Sequence, residues 1–509
     1  MPRQPGEERA AHFDFPDTNP DLPFVYRAIE WAAAGGSIAL VTHARWLFGQ
    51  SSRAVVARRD LLQSVHITGL LNGTALRDSG VWPNIRHPFC LLFAINEPPP
   101  KGASLQFISP DLERTPDRLQ EHLRIDWNDA RDIAVVEIVK RPWALKALFR
   151  GSSIDESVIA DVHQRGIALA KYLEALGTKL CNGYQVGGQA GRQQSAKYMA
   201  KLPDLKGPDP GFFIDTQSLP RFSRRKLLRT RDRSIYEAPL LLVHESMRAD
   251  PMAPRAIVAF EDVAYDERFS GASFANAADG ARLTTYLQLV VQSSLFAHAA
   301  LFLDGQFGVE REVVHKETID AIPVVPWGQL ERSLRTRSDA LSQRLREGMS
   351  AALLRDIDTF VADAFELTDI QRDAVADTLA VSLPTAASKG NATRTTNDRD
   401  RQIFIETCQH ELADLLDEKI SVRPVEVGHD GPWRFIQVDR LNGSKTTPGP
   451  SAIDARQIIE VADDGAASLI RIRTSERTVL VGQLDQYRYW TKTRARLLAS
   501  ALVSEKADG

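Results

Sequence analysis

A Gly35-Gly36 pair followed by an uninterrupted apolar run places the strongest constraint on how this chain folds. The amphipathic residues 24–31 predict a helix. Paired glycines are typical of a helix C-terminus, because glycine readily adopts the left-handed backbone found there. The apolar residues 38–42 then predict a buried strand. The sequence therefore predicts a helix that ends near Gly35 and is followed by a buried strand.

Two further strands follow this first pair of elements. A helical pattern covers residues 51–63, and strand patterns cover residues 65–71 and 89–95. The resulting αβαββ order predicts an α/β fold, of the kind found in the second half of an open α/β sheet.

Composition limits the broad class of protein. The chain has 509 residues, of which 43% are hydrophobic and 25% charged, so it can bury cores for two to four domains. The formal net charge is only −3, so any surface that binds a polyanion must be local. Cys90, Cys181 and Cys408 form no CxxC pair, which favours a reducing compartment and argues against a metal site.

The sequence predicts a cytoplasmic protein with no membrane partner. The first dozen residues are polar and lack the apolar core of a signal peptide. The longest apolar stretch, residues 283–303, contains Gln288, Gln292 and His298, and such polar residues favour a buried helix over a membrane span.

The first hundred residues resemble the carboxy-terminal part of the catalytic domain in N-6 adenine DNA methyltransferases of restriction–modification systems. The resemblance continues to about residue 330 through a region similar to the target-recognition domain of that family. It rests mainly on the order of the matching segments, which are residues 28–31, Gly35-Gly36, and residues 38–42, 53–62, 89–95, 236–243 and 287–326.

The resemblance implies a division into domains. It implies a partial Rossmann-type methyltransferase sheet, then a mixed α+β target-recognition domain, a helical segment and a small C-terminal α/β unit. The expected boundaries are 1–110 for the half catalytic domain, 111–180 for a helical connector, 181–330 for target recognition, 331–384 for the helical segment, 385–400 for a polar linker and 401–509 for the last unit, whose role is open.

The family's cofactor loop and catalytic tetrapeptide have no counterpart before the first strand. In the family, a glycine loop holds S-adenosylmethionine and an Asn-Pro-Pro-aromatic motif accepts hydrogen bonds from the target amino group. Only the segment from Asn19 and Pro20 to Phe24 comes near that motif. It carries two extra residues and follows no apolar strand, so no catalytic residue is assigned. S-adenosylmethionine is expected only through a partner subunit.

Trp82 and Pro83 lie in a Val-Trp-Pro-Asn segment that resembles the loop whose aromatic side chain stacks on the flipped adenine. Base-modifying enzymes hold their target outside the duplex, and an aromatic face stabilises it there. The alternative interpretation is a tryptophan that only packs within the protein.

A dense run of cations is the strongest local electrostatic feature. Phosphate neutralisation by such a run would give salt-dependent affinity for double-stranded DNA, although a merely solvated surface is the alternative. The candidate DNA-binding residues are Arg221, Arg224, Arg225, Lys226, Arg229, Arg231 and Arg233, with Arg192 and Lys197 near a preceding glycine-rich turn.

The sequence thus predicts a DNA-recognition and partial catalytic subunit of a split adenine methyltransferase, completed by a protein partner. A non-catalytic DNA-binding specificity or sensor protein derived from such an enzyme is the alternative. A scaffold protein without DNA contact is the third interpretation.

Overall fold

The computed structural model describes residues 20–77, 79–80, 83–114, 121–125, 130–187, 193–206, 211–249, 252–426, 432–441, 459–460, 462 and 467–504. The chain forms two compact units. The first unit comprises Met1–Glu156 and Ala376–Gly509, and the second comprises Ser157–Val375. These limits differ from the predicted domains, because the second unit includes the end of the predicted connector and most of the predicted helical segment.

A five-stranded mixed sheet occupies the N-terminal part of the first unit, with strand order β1-β3-β2-β4-β7. We call it the N-terminal sheet. Its strands β1, β2 and β4 run in one direction, whereas β3 and β7 run in the other. The strands are β1 (Ser37–His43), β2 (His66–Asn72), β3 (Phe89–Ile95), β4 (Ser104–Ile108) and β7 (Ala130–Ala134). Strands β5 (Asp111–Arg114) and β6 (Glu121–Arg124) pair separately.

The predicted helix stop before the first strand is confirmed. Helix α1 (Asp21–Trp31) ends ahead of Gly35, whose φ of 70° lies in the left-handed region. The Asn96 side chain donates from Nδ2 to the carbonyl oxygens of Ile29 at 3.0 Å and Ala32 at 2.8 Å. These bonds satisfy carbonyls that a helix end leaves without a partner, and they join α1 to the residue following β3.

A buried arginine holds the helices of the N-terminal part together. These are α2 (Arg45–Phe48), α3 (Ser52–Ser64), α4 (Val135–Lys140) and α5 (Ala144–Arg150). Arg58 of α3 donates to the carbonyls of Trp46, Leu47 and Gly49 at 2.8–3.2 Å and to that of Pro142 at 2.9 Å. Burial lowers the pKa of this guanidinium to about 10.

The prediction of a helical connector from residue 111 is wrong in its first part. Three strands lie there, and the last of them, β7, pairs with β4 from Ser104↔Ala134 to Ile108↔Ala130. Pairing with β4 satisfies the backbone of β7 and buries Ile133, so tertiary contacts override the local pattern. Among the described residues of this segment, helices begin with α4.

The second unit is built on a four-stranded sheet of order β14-β13-β16-β9. Its strands are β9 (Cys181–Asn182), β13 (Leu240–Ala249), β14 (Met252–Ala259) and β16 (Phe269–Ser273). Three two-stranded pairs accompany it. They are formed by β8 (Ile167–Ala168) with β17 (Pro323–Val324), β10 (Gln194–Ser195) with β12 (Lys226–Leu227), and β11 (Asp204–Leu205) with β15 (Ala264–Tyr265).

Helices pack around this sheet. Those lying wholly in the second unit are α7 (Leu169–Ala175), α8 (Gly280–Gln292), α9 (Ser294–Leu303), α10 (Lys316–Ala321), α11 (Arg332–Glu347) and α12 (Ala351–Ala364). Helices α6 (Ser153–Arg165) and α13 (Asp369–Ser382) cross the limits between the units.

The long apolar stretch forms α8 and α9 and is buried, as predicted. Gln288 donates to the Phe212 carbonyl at 2.6 Å and Gln292 to the Ala256 carbonyl at 2.7 Å, so the polar residues tie α8 to the sheet. No single helix in the described part of the chain has the length and apolar character needed to cross a membrane. Helices α8 and α9 meet that test only together, and they are bent by 67°.

The predicted linker at 385–400 is wrong as a structural statement, because it contains α14 (Ala386–Thr393) and the start of α15 (Asp398–Leu416). Thr385 accepts the amide of Ser388 at 3.2 Å, and Ser388 Oγ donates to the Leu379 carbonyl at 3.2 Å. Ser and Thr favour loops and helix caps for the same reason, which is side-chain bonding to backbone. Composition alone does not separate the two.

The C-terminal part of the first unit is an antiparallel sheet of order β18-β19-β21-β20, which we call the C-terminal sheet. This part contains both strands and helices, as expected of the small α/β unit predicted here. The elements are β18 (Ile420–Val425), β19 (Trp433–Arg440), β20 (Leu469–Ser475), β21 (Thr478–Leu484) and α16 (Lys492–Ser504). Helices α15 and α16 contribute Phe404, Cys408 and Leu498 to its core.

Candidate nucleic-acid interface

Apolar anchors hold the basic run on the surface of the second unit. Phe222, Leu227 and Tyr236 are buried in one core with residues of β13, β14 and β15. Most polar residues between these anchors are exposed, because an extended segment with its apolar side chains inward directs the others outward. The segment is therefore a fixed element, although it has little regular secondary structure.

Six exposed cations form what we call the basic surface. None of them forms an ion pair with any residue that the structure describes, and Arg221 donates from Nη1 to the Lys201 carbonyl at 3.0 Å. Uncompensated cations on one surface raise the local positive potential although the chain as a whole is nearly neutral. The six are Lys197, Arg221, Arg224, Arg225, Lys226 and Arg229.

Lys197 joins this surface through backbone pairing. Ser195 lies opposite Lys226 in the β10–β12 pair, and the Ala196 amide donates to the Arg225 carbonyl at 2.9 Å. The two segments are about thirty residues apart in sequence, so only the fold brings them together. Arg192, also predicted as a DNA contact, lies outside the described residues.

Two of the predicted DNA contacts have internal partners. Arg231 Nε donates to the Gly183 carbonyl at 3.1 Å, and Arg233 Nη2 lies 2.7 Å from the Asp262 carboxylate. Both side chains are half-buried. They hold the segment in place, which distinguishes them from the six exposed cations.

An exposed aromatic ring beside the basic surface was missed by the sequence reasoning. Tyr198 is 43% exposed, and its hydroxyl accepts the Arg231 amide at 3.2 Å and donates to the Arg231 carbonyl. Partial burial raises the pKa of this phenol, so it stays protonated at neutral pH. A tyrosine next to a run of cations carries no sequence signal that separates it from a core residue.

Residues 83–88 lead into β3, which begins at the carboxyl edge of β1, β2 and β4. Trp82 itself lies outside the described residues, whereas Pro83 is exposed. The Ala44 amide, directly after β1, donates to the Pro88 carbonyl at 3.0 Å, just before β3 begins. The carboxyl ends of such strands are where open α/β sheets bind ligands.

Side chains at this edge are fixed by a buried polar network. Asn72 at the end of β2 donates to Ser109 Oγ at 3.1 Å and accepts from Thr74 Oγ1 at 2.6 Å. The imidazoles of His43 and His87 lie with ring centroids 6.0 Å apart. No sequence pattern connects these two histidines, because they are far apart in the chain and come together through β1–β3 pairing.

The near-match to a catalytic tetrapeptide does not have the geometry of a turn after a strand. Asn19 lies outside the described residues. Pro20 precedes the first residue of α1, and Phe24 lies in that helix with 51% of its surface exposed. A proline before a helix and an aromatic residue within it are ordinary helix-start features.

The chain is distantly similar to several solved structures. No family model matches the chain, and no curated protein matches it. Three similar solved structures all come from restriction–modification systems. The type IIG restriction endonuclease BpuSI has 12% identity and a TM-score of 0.29, over 70% of this chain and 48% of its own.

The type IIL enzyme MmeI in complex with DNA has 8% identity and a TM-score of 0.36, over 71% of this chain and 52% of its own. The HsdS subunit from Thermoanaerobacter tengcongensis has 13% identity and a TM-score of 0.20, over 46% of this chain and 55% of its own. The chain thus spans about half the length of the structures it matches. With TM-scores below 0.5, these similarities carry no argument about function.

Proposed function

We propose that this chain recognises double-stranded DNA in a restriction–modification or phage-defence system. We propose further that a partner polypeptide completes it as an N-6 adenine DNA methyltransferase. The observation that carries the proposal is the basic surface: six exposed cations, held in place by buried anchors and without acidic partners among the described residues.

The chemistry of that surface suits a phosphate backbone. Each phosphate that a cation neutralises releases counterions, and the logarithm of the binding constant falls with that of the salt concentration by about 0.9 per phosphate. Contact by all six cations would give a slope near ~5. Such affinity is largely independent of base sequence.

The proposed partner is supported by the open side of the N-terminal sheet. Strand β1 is an edge strand with no charged residue before His43, and Val41 on it is 44% exposed. Phe93, opposite Ala39 on the neighbouring strand, is 41% exposed. Exposed apolar edges pair readily with other chains, so soluble proteins usually protect them.

The partner is proposed to supply the S-adenosylmethionine loop and the catalytic tetrapeptide, and Trp82 to stack on the flipped adenine. In a reconstituted complex, Trp82→Ala is expected to impair methylation more than DNA binding, because stacking acts only on the extruded base. Equal losses in both would contradict the stacking role. The neighbouring gene is the first place to look for the partner.

A non-catalytic specificity or sensor protein is the second candidate, and the same basic surface supports it. The two candidates differ in cofactor binding by the complex. Alone, the chain is expected to show no calorimetric binding of S-adenosylmethionine in either case. With the encoded neighbour added, binding favours the methyltransferase, and its absence favours the sensor. Tight binding by the chain alone would overturn the split-enzyme proposal.

DNA recognition itself is tested by binding a 30-base-pair duplex across a salt series. The triple variant Arg224→Ala, Arg225→Ala, Arg229→Ala is expected to lower the salt slope by about 3 and to weaken binding uniformly across sequences. The matched control changes Arg332, Arg355 and Arg399, which are exposed on α11, α12 and α15. Salt-insensitive binding, or equal effects of both sets, would overturn the proposal.

A further inference from the structure

The pair of strands β10 and β12 is a two-stranded antiparallel ribbon in the middle of the basic surface. Gln194 lies opposite Leu227, and Ser195 lies opposite Lys226. The Ala196 amide extends the ladder by donating to the Arg225 carbonyl at 2.9 Å. On its other side, β12 is bordered by Gln185, which pairs with Arg229.

The two faces of this ribbon have different environments. Residues directly opposite each other in an antiparallel pair share a face. Leu227 is fully buried, and the Gln194 amide oxygen opposite it accepts from the Thr230 amide at 2.9 Å and hydroxyl at 2.8 Å. That face is therefore used to hold the segment on the domain.

The other face carries Ser195 and Lys226, both exposed. Gln193 directly precedes β10, and Arg224 lies two residues before Lys226; both are exposed, and continued alternation would place them on the same face. The side chains of Gln193, Ser195 and Lys226 make no hydrogen bond or ion pair with any residue described in the structure. This outer face thus presents an amide, a hydroxyl and two cations to solvent.

We infer that this outer face, formed by Gln193, Ser195, Arg224 and Lys226, reads base edges in the major groove of double-stranded DNA. The inference rests on the proposed function. The major groove is about 12 Å wide and admits a two-stranded ribbon. Glutamine pairs with adenine through N6 and N7, and arginine and lysine bind guanine O6 and N7. Serine can form a hydrogen bond with either base.

The surrounding cations have a separate task. Arg221, Arg225 and Arg229 do not follow the alternation of the outer face, and Lys197 lies after β10 at the start of a short 3-10 helix. We expect these four cations to contact phosphates. Phosphate contacts set the position of a protein on the duplex, and base contacts set its sequence preference. Gln193 and Ser195 are neutral. Substituting them therefore tests base contacts without changing the number of positive charges.

The test is selection of bound duplexes from a 30-base-pair library with a randomised centre, using the full chain, followed by salt titration. Wild type is expected to select a defined motif. Gln193→Ala and Ser195→Ala are each expected to lose preference at one or two adjacent positions, by about 5- to 100-fold for a glutamine pair. Because neither residue is charged, the salt slope should not change.

Two further variants distinguish a lost base contact from a general loss of structure. Gln193→Arg is expected to shift the preference at its position from adenine towards guanine, which loss of structure cannot produce. Gln343→Ala, on an exposed position of α11, should leave the motif unchanged.

The outcomes separate the two proposals. Salt-dependent binding with no selected motif, or an unchanged motif in the Gln193 and Ser195 variants, overturns base reading by the ribbon and leaves DNA binding standing. Uniform weakening on all sequences by the neutral variants also overturns it. Failure of wild type to bind any duplex overturns the proposed function as well.

Discussion

The two sheets of the first unit differ in how far their faces are buried. In the C-terminal sheet, the neighbouring residues Phe435 and Ile436 of β19 point to opposite faces, and both are buried, so both faces are covered. In the N-terminal sheet, Leu92 of β3 is buried, but its neighbour Phe93 is 41% exposed. One face of this sheet is therefore open to solvent in the chain by itself.

The outer strands of the two sheets also differ in the residues that they expose. The outer strand β20 of the C-terminal sheet exposes Arg471 and Arg473, and charged edge residues discourage pairing with other chains. The outer strand β1 of the N-terminal sheet exposes Ala39 and Val41 instead. The edge at β20 is thus charged, whereas the edge at β1 is apolar. This difference supports the proposal that β1 is covered in the functional assembly.

The largest expected effect is on the stability of the covered sheet. Phe435→Ala should lower the free energy of unfolding by about 3–5 kcal/mol, because it leaves a cavity in a filled core. The ring fills the space above Gly482, where an added Cβ would lie 2.4 Å from it. Denaturant unfolding followed by hydrogen exchange in β19 and β21 would measure this loss.

The matched change in the open sheet is Phe93→Ala. In the chain alone we expect it to cost less than about 1 kcal/mol, as for other exposed positions. If the proposed partner covers this face, the same substitution should weaken its binding about tenfold or more, since buried aromatic residues dominate interfaces. Destabilisation as large as that of Phe435→Ala would mean that the face is not open.

A smaller effect is expected at the edge itself. Val41→Lys should change stability by roughly 0.5 kcal/mol or less, while reducing any self-association of the purified chain seen by sedimentation. Arg473→Val is the converse variant on β20 and should increase association. If neither variant alters sedimentation, the edges do not control association.

The smallest effect concerns pH and the helix that packs on the covered sheet. Asp400 in the first turn of α15 accepts from Arg394 at 2.6 and 3.1 Å, and this bonding lowers the pKa of the carboxyl group. A lowered folded pKa adds stability above the unfolded value near ~4, and this stability is lost as the pH falls through the folded pKa. Asp400→Asn should therefore be less stable at pH 7.

The difference between wild type and Asp400→Asn should shrink as the pH falls below about 4, when the wild-type carboxylate becomes protonated. Thermal unfolding from pH 7 to pH 2 would follow it. Asp398→Asn is the control, because Asp398 is fully exposed in the same helical turn. A constant difference across that range would contradict the role of the Asp400 charge.

Much of the local structure was predictable. The Gly35-Gly36 helix stop, the strands around residues 38–42 and 89–95, and the mixture of strands and helices in the C-terminal unit follow from periodicity and turn residues. The strands after residue 111 did not, because their stability comes from pairing with distant partners. Short polar segments hold too few apolar residues for a clear period.

The candidate site was also predictable only in part. The basic run was visible because its cations are adjacent in sequence. Which of them serve structure was not visible, because Arg231 and Arg233 meet their partners only through the fold. Gln193 and Ser195 carry no sequence signal, and their importance follows from their place on the ribbon.

The sequence by itself determined where apolar and charged residues concentrate, and hence the early α/β order and the basic run. The tertiary structure decided which apolar surfaces are covered, which cations are free of acidic partners in the described part, and that residues 193–197 lie beside residues 224–229. The physical reason is that local pattern depends on neighbours in the chain, whereas burial and pairing depend on residues that only the fold brings near.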